Sequence, residues 1–479
     1  MLHEPAPAPS PPHGRRALPS WGLLLALALF LLGVCWRFYY LYQVHPAHRF
    51  IYSDMESYVN MAMHFLSDSH TFVIGDAFYP PGTGLYLAAL YSLDKSWSLA
   101  IAVQGILSSL IPLLLAVIGY ELFGRRVALL ALAGASLYFP FIDYASYFLS
   151  ENPFIFTLLL SFWLMLRSLR VRNPVWAGVL GLLSGLVLGT AAAFKSVILL
   201  GGLLTALFLG YLGWRRRWPR VWLVFATGAL GLLAVLAPLA VRATRLNEGR
   251  FCLISNNGPL SFLQGHYGRV GHFKFKDEKR GYYYEWGSPA ALQYGFEKEA
   301  TFPFGPYDTD QVSRAAWEWI GEHPFAALQL SVQHVFTLFA GTIPWPSSHT
   351  DERPWAIFFQ QLFLFFILFP ACVHLLRQAR GIYRLERAAL GDILVLLPVL
   401  GIMLTAFATI GDPRYRIPFD GFIILLAARG YVRTPAREDG LLPCDPPEGG
   451  VLGSTGSPSD QPASAGLAPA ELPSPRGLA

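Results

Sequence analysis

Ten stretches of about twenty apolar residues recur along the chain, near 21–42, 97–119, 127–147, 149–166, 175–194, 196–213, 221–241, 355–376, 389–410 and 416–432. Each is close to the ~20 residues that a helix needs to cross the hydrocarbon of a bilayer. In lipid a backbone finds no water, so such runs must satisfy their own polar groups as helices. The sequence therefore predicts an all-α integral membrane protein and excludes a soluble α/β architecture. Of 479 residues only 14% are charged and 54% are hydrophobic, against roughly 25% charged in ordinary soluble domains. The net charge of +5 comes mostly from arginines between the apolar runs. That pattern reports topology and gives no footprint for nucleic acid. Cys35, Cys252, Cys372 and Cys444 show no paired spacing, so no disulfide framework or CxxC metal site is readable.

The basic residues set the expected orientation. Arg15/Arg16, Arg125/Arg126, Arg167/Arg170/Arg172, Arg215–Arg217 with Arg220, Arg377–Arg387 and Arg433/Arg437 fall in alternate connections, which are expected to be cytoplasmic. The first run lacks a small-residue cleavage site and reads as a retained anchor. Residues 1–20 and 436–479 are rich in Pro with Ala, Gly or Ser and are expected to be disordered cytoplasmic extensions. Residues 21–435 then form one membrane domain with external loops at 43–96 and 242–354. The first loop should carry short helices. The second, after the seventh span, is polar and aromatic. Residues 325–342 are apolar but hold Gln329, Gln333 and His334. Counting them as a span would force the basic 377–388 connection outside. A helix at the interface, or packed partly into the bundle, is expected there instead.

On the external side the few charges stand out. "YSDMESYVNMAMHFL" places Asp54, Tyr58 and Met61 or Ala62 on one helical face, with Ser53 as an N-cap and Asp54 at the positive end of the helix dipole. Asp54 could equally be a cap, and Glu56 a solvated acid. "YPPGTGLYLAAL" turns the chain into a second short helix. Glu151 opens the fourth apolar run in "LSENPF". Lys195 in "AAAFKSVIL" is a lone cation between two runs, and Arg414, Tyr415 and Arg416 precede the last. Each has a plain reading, as a dipole partner, a snorkelling lysine or arginines meeting lipid phosphate. Together they gather both signs of charge at one depth, which suits an anionic lipid headgroup. Arg binds phosphate through a planar fork and Lys as a point charge.

"SDMESY", "YPPGTGLYLAAL", "LSENPFIF", "AAAFKSVIL", "ISNNGPLSFLQGHYG" and "DPRYRIPFDGFIILLAA" together resemble the GT-C superfamily of glycosyltransferases over roughly 20–435. The likeness is to its bacterial branch near the dolichyl-phosphate-mannose–protein mannosyltransferases and the lipid A aminoarabinose transferases. It implies a bundle of about 10–11 spans. It also implies sugar transfer from a polyprenyl-phosphate donor to a glycan, lipid or protein acceptor on the non-cytoplasmic face of the cell membrane. The chain departs from the protein mannosyltransferases in one place: Met55 separates Asp54 from Glu56, where they have adjacent acids. In this reading Asp54 is the general base of an inverting displacement. Lys195 and Arg414, supported by Arg416, meet the phosphate. Glu151 orients a cation or a sugar hydroxyl. Glu56, Tyr58, Tyr415 and, from the second loop, Asn256 and Asn257 are further substrate contacts. There is room for a divalent metal ion near Asp54, though no His or adjacent acid demands one. A transporter or flippase of lipid-linked saccharides is the alternative. It would be expected to show repeated halves or broken helices in matched positions, and none is apparent.

Overall fold

A computed structural model describes residues 20–67, 77–277, 281–287, 295–340 and 353–432. The expected terminal extensions and residues 341–352 lie outside the described residues. Helix α1 (Ser20–Tyr39) leads into α2 (Asp54–Leu66) and α3 (Gly82–Leu93), the two short helices expected between the first two spans. Then come α4 (Ser98–Phe123), α5 (Arg125–Leu137), α6 (Phe139–Asp143), α7 (Glu151–Arg170), α8 (Pro174–Phe194), α9 (Ile198–Arg215) and α10 (Pro219–Leu246). Among the described residues, eight helical stretches are long and apolar enough to cross a membrane, or nine if the pair Arg125–Leu137 and Phe139–Ser146, bent by 59°, counts as one span. The fold is the helical multi-pass bundle expected, with fewer candidate spans among the described residues than the 10–11 read from the sequence. The last apolar run is helical but broken: α17 (Pro413–Arg416), a 3-10 turn at Ile417–Phe419, then α18 (Asp420–Val432), where the described residues end.

Small residues let the spans approach closely, as packing inside lipid requires. A Cβ added to Gly185 of α8 would lie only 1.9 Å from the carbonyl oxygen of Gly228 in α10. One contiguous apolar core runs through the bundle and includes Leu115, Phe154, Leu159, Val395, Phe419 and Phe422.

The second long connection is not all helix. It holds α11 (Gly258–His266), β1 (Val270–Asp277), β2 (Tyr282–Gly287), β3 (Lys298–Phe302) and α12 (Thr309–Glu322). The strand order is β2-β1-β3, with β1–β2 antiparallel and β1–β3 parallel. The reason is local. "FKF" in β1 alternates, so Phe273 and Phe275 fall on one face, opposite Trp286 and Tyr284. They join Leu260, Leu263, Phe302, Val312 and Ala316 in a second small core, which also takes Phe78 from the first connection.

Helix α13 (Pro324–Ala340) buries Ala327, Leu330, Ser331, His334, Thr337 and Leu338. Its other face exposes Phe325, Leu328, Val332 and Phe336. It packs along α16 (Leu390–Ala408) and against α17. Between them lie α14 (Arg353–Phe363) and α15 (Phe369–Arg384).

Candidate active site

Four charged residues from four separate parts of the chain converge. Asp54 opens α2, Glu151 opens α7, Lys195 sits in the turn between α8 and α9, and Arg414 lies in α17. Arg414 Nη1 donates to Asp54 Oδ2 at 2.7 Å, and its Nε donates to Glu151 Oε1. Lys195 Nζ donates to the same Glu151 oxygen at 2.9 Å. Glu151 is fully buried. A carboxylate there is sustained only because two cations hold it, since an unpaired buried charge is strongly disfavoured. Burial works against the charge on Arg414, but Glu151 and Asp54 outweigh it and raise its pKa well above the ordinary value. For Lys195 burial wins over Glu151 and lowers the pKa.

Local structure explains the placing. Asp412 caps α17, its Oδ1 accepting from Arg414 N at 2.8 Å, so the short turn that carries Arg414 has a fixed start. Lys195 lies over the Tyr415 ring, 5.3 Å from its centroid. Ser53 occupies the N-cap position of α2, but its side chain makes no cap bond and its φ is +52°. The expected cap is therefore replaced by strained backbone at the base of Asp54.

Tyr79 completes the group, and sequence reasoning did not single it out. Its hydroxyl donates to Asp54 Oδ1 at 2.9 Å. Its ring lies 5.2 Å from that of Tyr58. Burial first, and Asp54 second, raise the Tyr79 pKa, so the phenol keeps its proton and remains a donor. The one available signal was its place directly before Pro80–Pro81–Gly82. Gly82 is the close approach in this wall: a Cβ on it would sit 2.5 Å from Ala193 O and 2.8 Å from Phe194 N. The backbone after Tyr79 thereby lies directly against the backbone before Lys195.

The other candidates are placed elsewhere. Glu56 is exposed and joins no contact of this group. Arg416 turns away and is buried in a second network. Its Nε lies 2.9 Å from Asp420 Oδ1, Nη1 donates to Phe339 O at 3.2 Å, Nη2 donates to Gln360 Oε1 at 3.2 Å, and the guanidinium covers the Phe363 ring. Tyr138 donates to Asp420 Oδ2. Asn256 is buried; its N–H donates to Ala77 O at 2.8 Å and its Nδ2 to Asn247 Oδ1 at 3.2 Å. It thus ties the second connection to the first, two residues before Tyr79. Asn257 accepts from Ser255 at the start of α11. Neither Asn has a hydrogen bond to the charged group.

A resident divalent ion does not fit here. Both oxygens of Asp54, and the Glu151 oxygen that meets the group, already accept from Arg414, Lys195 or Tyr79. Among the described residues no group of three or more His, Cys, Asp or Glu side chains stands ready for a metal.

Fold and site together define a multi-pass membrane protein with a charged group built at the ends of its helices. Residues 79–241, about a third of the chain, match the family model described as dolichyl-phosphate-mannose-protein mannosyltransferase. This supports a membrane glycosyltransferase of the GT-C superfamily, the resemblance already read from the motifs. Two solved structures are similar, both of an oligosaccharyltransferase from Archaeoglobus fulgidus. The complex with Zn and sulfate has 11% identity and a TM-score of 0.44, covering 83% of this chain and 48% of that one. The apo form has 11% identity and a TM-score of 0.48, covering 84% and 50%. The chain thus spans about half the length of the solved structures it matches. No curated protein matches it.

Proposed function

We propose that the chain transfers a sugar from a polyprenyl-phosphate donor to an acceptor hydroxyl, by one direct displacement that inverts the anomeric carbon. The observation that carries this is the convergence of Asp54, Glu151 and Lys195 on Arg414. The acceptor oxygen attacks the anomeric carbon and its proton passes to Asp54. The bond from that carbon to the phosphate oxygen breaks, and the electron pair leaves with the polyprenyl phosphate. Arg414 and Lys195 meet the charge that grows on that oxygen, and Glu151 holds both cations in place beforehand. The distribution of arginines supports a non-cytoplasmic location for this site. The acceptor is a glycan, lipid or protein hydroxyl. The sheet that packs beside Tyr79 through Phe78 is the part of the fold nearest to choose it.

The test is transfer by the purified chain in detergent, where no membrane needs to be crossed. Sugar should move from a short-chain polyprenyl-phosphate donor to acceptors in a membrane extract. Asp54→Asn should lower turnover by about 10²–10⁴-fold, the range for loss of a general base. Near-normal turnover in that variant would remove Asp54 from the reaction. No transfer by the wild-type chain with any donor would favour a transporter.

A further inference from the structure

Arg414 bridges two carboxylates that lie at different depths. Its inner arm meets Glu151, whose side chain is 0% exposed and which also holds Lys195. Its outer arm, Nη1, meets Asp54, whose side chain is 26% exposed. Lys195 and Arg414 are themselves only 11% and 10% exposed. An anion arriving from solvent or the lipid surface therefore finds the outer arm accessible and the inner arm closed. Asp54 also has a second donor, since the Tyr79 hydroxyl holds its other oxygen. Glu151 can keep Arg414 and Lys195 while Asp54 lets go.

While Arg414 Nη1 and the Tyr79 hydroxyl both donate to Asp54, each of its oxygens faces a donor of the protein and not an acceptor hydroxyl. The donor's phosphate, a diester, offers the same guanidinium an oxygen acceptor of equal charge. We infer that Arg414 latches Asp54 until the donor arrives, and that the donor's phosphate takes over the outer arm and so frees Asp54 to act as base. The inference rests on the proposed function, because it needs an anionic donor at Arg414. It assigns Tyr79 a role as well. Tyr79 is a positioning residue that keeps Asp54 aimed once Arg414 has moved to the phosphate. It also dictates an order, donor before acceptor, so that no base is exposed in the absence of a sugar to transfer.

The experiment measures binding, not turnover. Geranyl phosphate, a short soluble polyprenyl phosphate, is titrated into the full-length chain in detergent and followed by calorimetry, with geraniol as the control for its tail. Asp54→Asn removes the competitor for the outer arm, so it should bind geranyl phosphate about fivefold tighter or more, the lower end of typical coupling between sites. Tyr79→Phe leaves Asp54 more dependent on Arg414, so binding should weaken. General damage to the site would weaken both. Unchanged or weaker binding by Asp54→Asn, with the wild type binding, overturns the latch and leaves the proposed function standing. No binding of geranyl phosphate by either protein overturns both. If Asp54→Asn does not fold, Asp54→Ala removes the same competitor and decides on the same terms: tighter binding supports the latch, and equal or weaker binding overturns it.

Discussion

Arg414 and Arg416 stand two residues apart in one short helical turn, yet they serve different ends. Arg416 is enclosed: Asp420, Gln360, two backbone carbonyls and the Phe363 ring account for its guanidinium, and it is 1% exposed. Arg414 is divided between a fully buried acid and a partly open one. The difference teaches how to tell a fastening from a site among buried ion pairs. A fastening is enclosed on all sides by partners inside the fold. A site keeps one arm on a partner that is partly open and has a substitute.

The sharpest way to break this comparison is to remove each arginine and see what fails. Arg416→Gln leaves Asp420 buried with only Tyr138 as donor, so it should destabilise the fold by roughly 3–5 kcal/mol, the cost of breaking a buried pair on one side. The melting temperature in detergent reads this directly. If stability holds and only turnover falls, Arg416 belongs to the site after all. Arg414→Gln should do the reverse. Lys195 still holds Glu151 and Tyr79 still holds Asp54, so the melting temperature should fall by less than in Arg416→Gln. Turnover should fall by about 10²–10³-fold, as for loss of one preorganised donor to a developing oxyanion. A large drop in melting temperature with normal turnover in the folded fraction would make Arg414 a second fastening.

The smallest effect sharpens the comparison from another side. His266 and His334 join α11 to α13, His266 through Ser331 Oγ and His334 through Gly265 O. Burial lowers both pKa values. A histidine kept neutral in the fold contributes stability that is full above its unfolded pKa of about 6.5 and is lost as the pH falls through the lower, folded pKa. The melting temperature should therefore decline gently below about pH 6.5. The decline should flatten in His266→Gln and His334→Gln. An equally steep decline in both variants would place the acid sensitivity elsewhere.

The cluster is partly legible in the linear order of charges. Asp54, Glu151, Lys195 and Arg414 are among the few charges near the expected external ends of apolar runs, where charge is costly and so informative. Helical spacing could have sorted the rest. Residues two apart on a helix point about 200° apart, by the 3.6-residue period. That one rule separates Glu56 from Asp54 and Arg416 from Arg414. Tyr79 was hidden for a different reason. A tyrosine before Pro-Pro looks like any interfacial aromatic, and its partner lies 25 residues back across a connection. The sheet was hidden because its strands are short and rich in aromatics and charge, set within a connection read as a loop.

Gly82 gives the site its gauge. The wall that carries Tyr79 and the wall that carries Lys195 touch backbone to backbone at that position, with no room for one more carbon. Under the proposed function, the space left for the sugar between those walls depends on this contact. A methyl at residue 82 would act as a shim, wedging the first connection away from the end of α8 and widening the opening by a fraction of a bond length. Size selection could therefore be retuned at a residue that bears no charge, donates no side-chain hydrogen bond and never meets the reacting atoms.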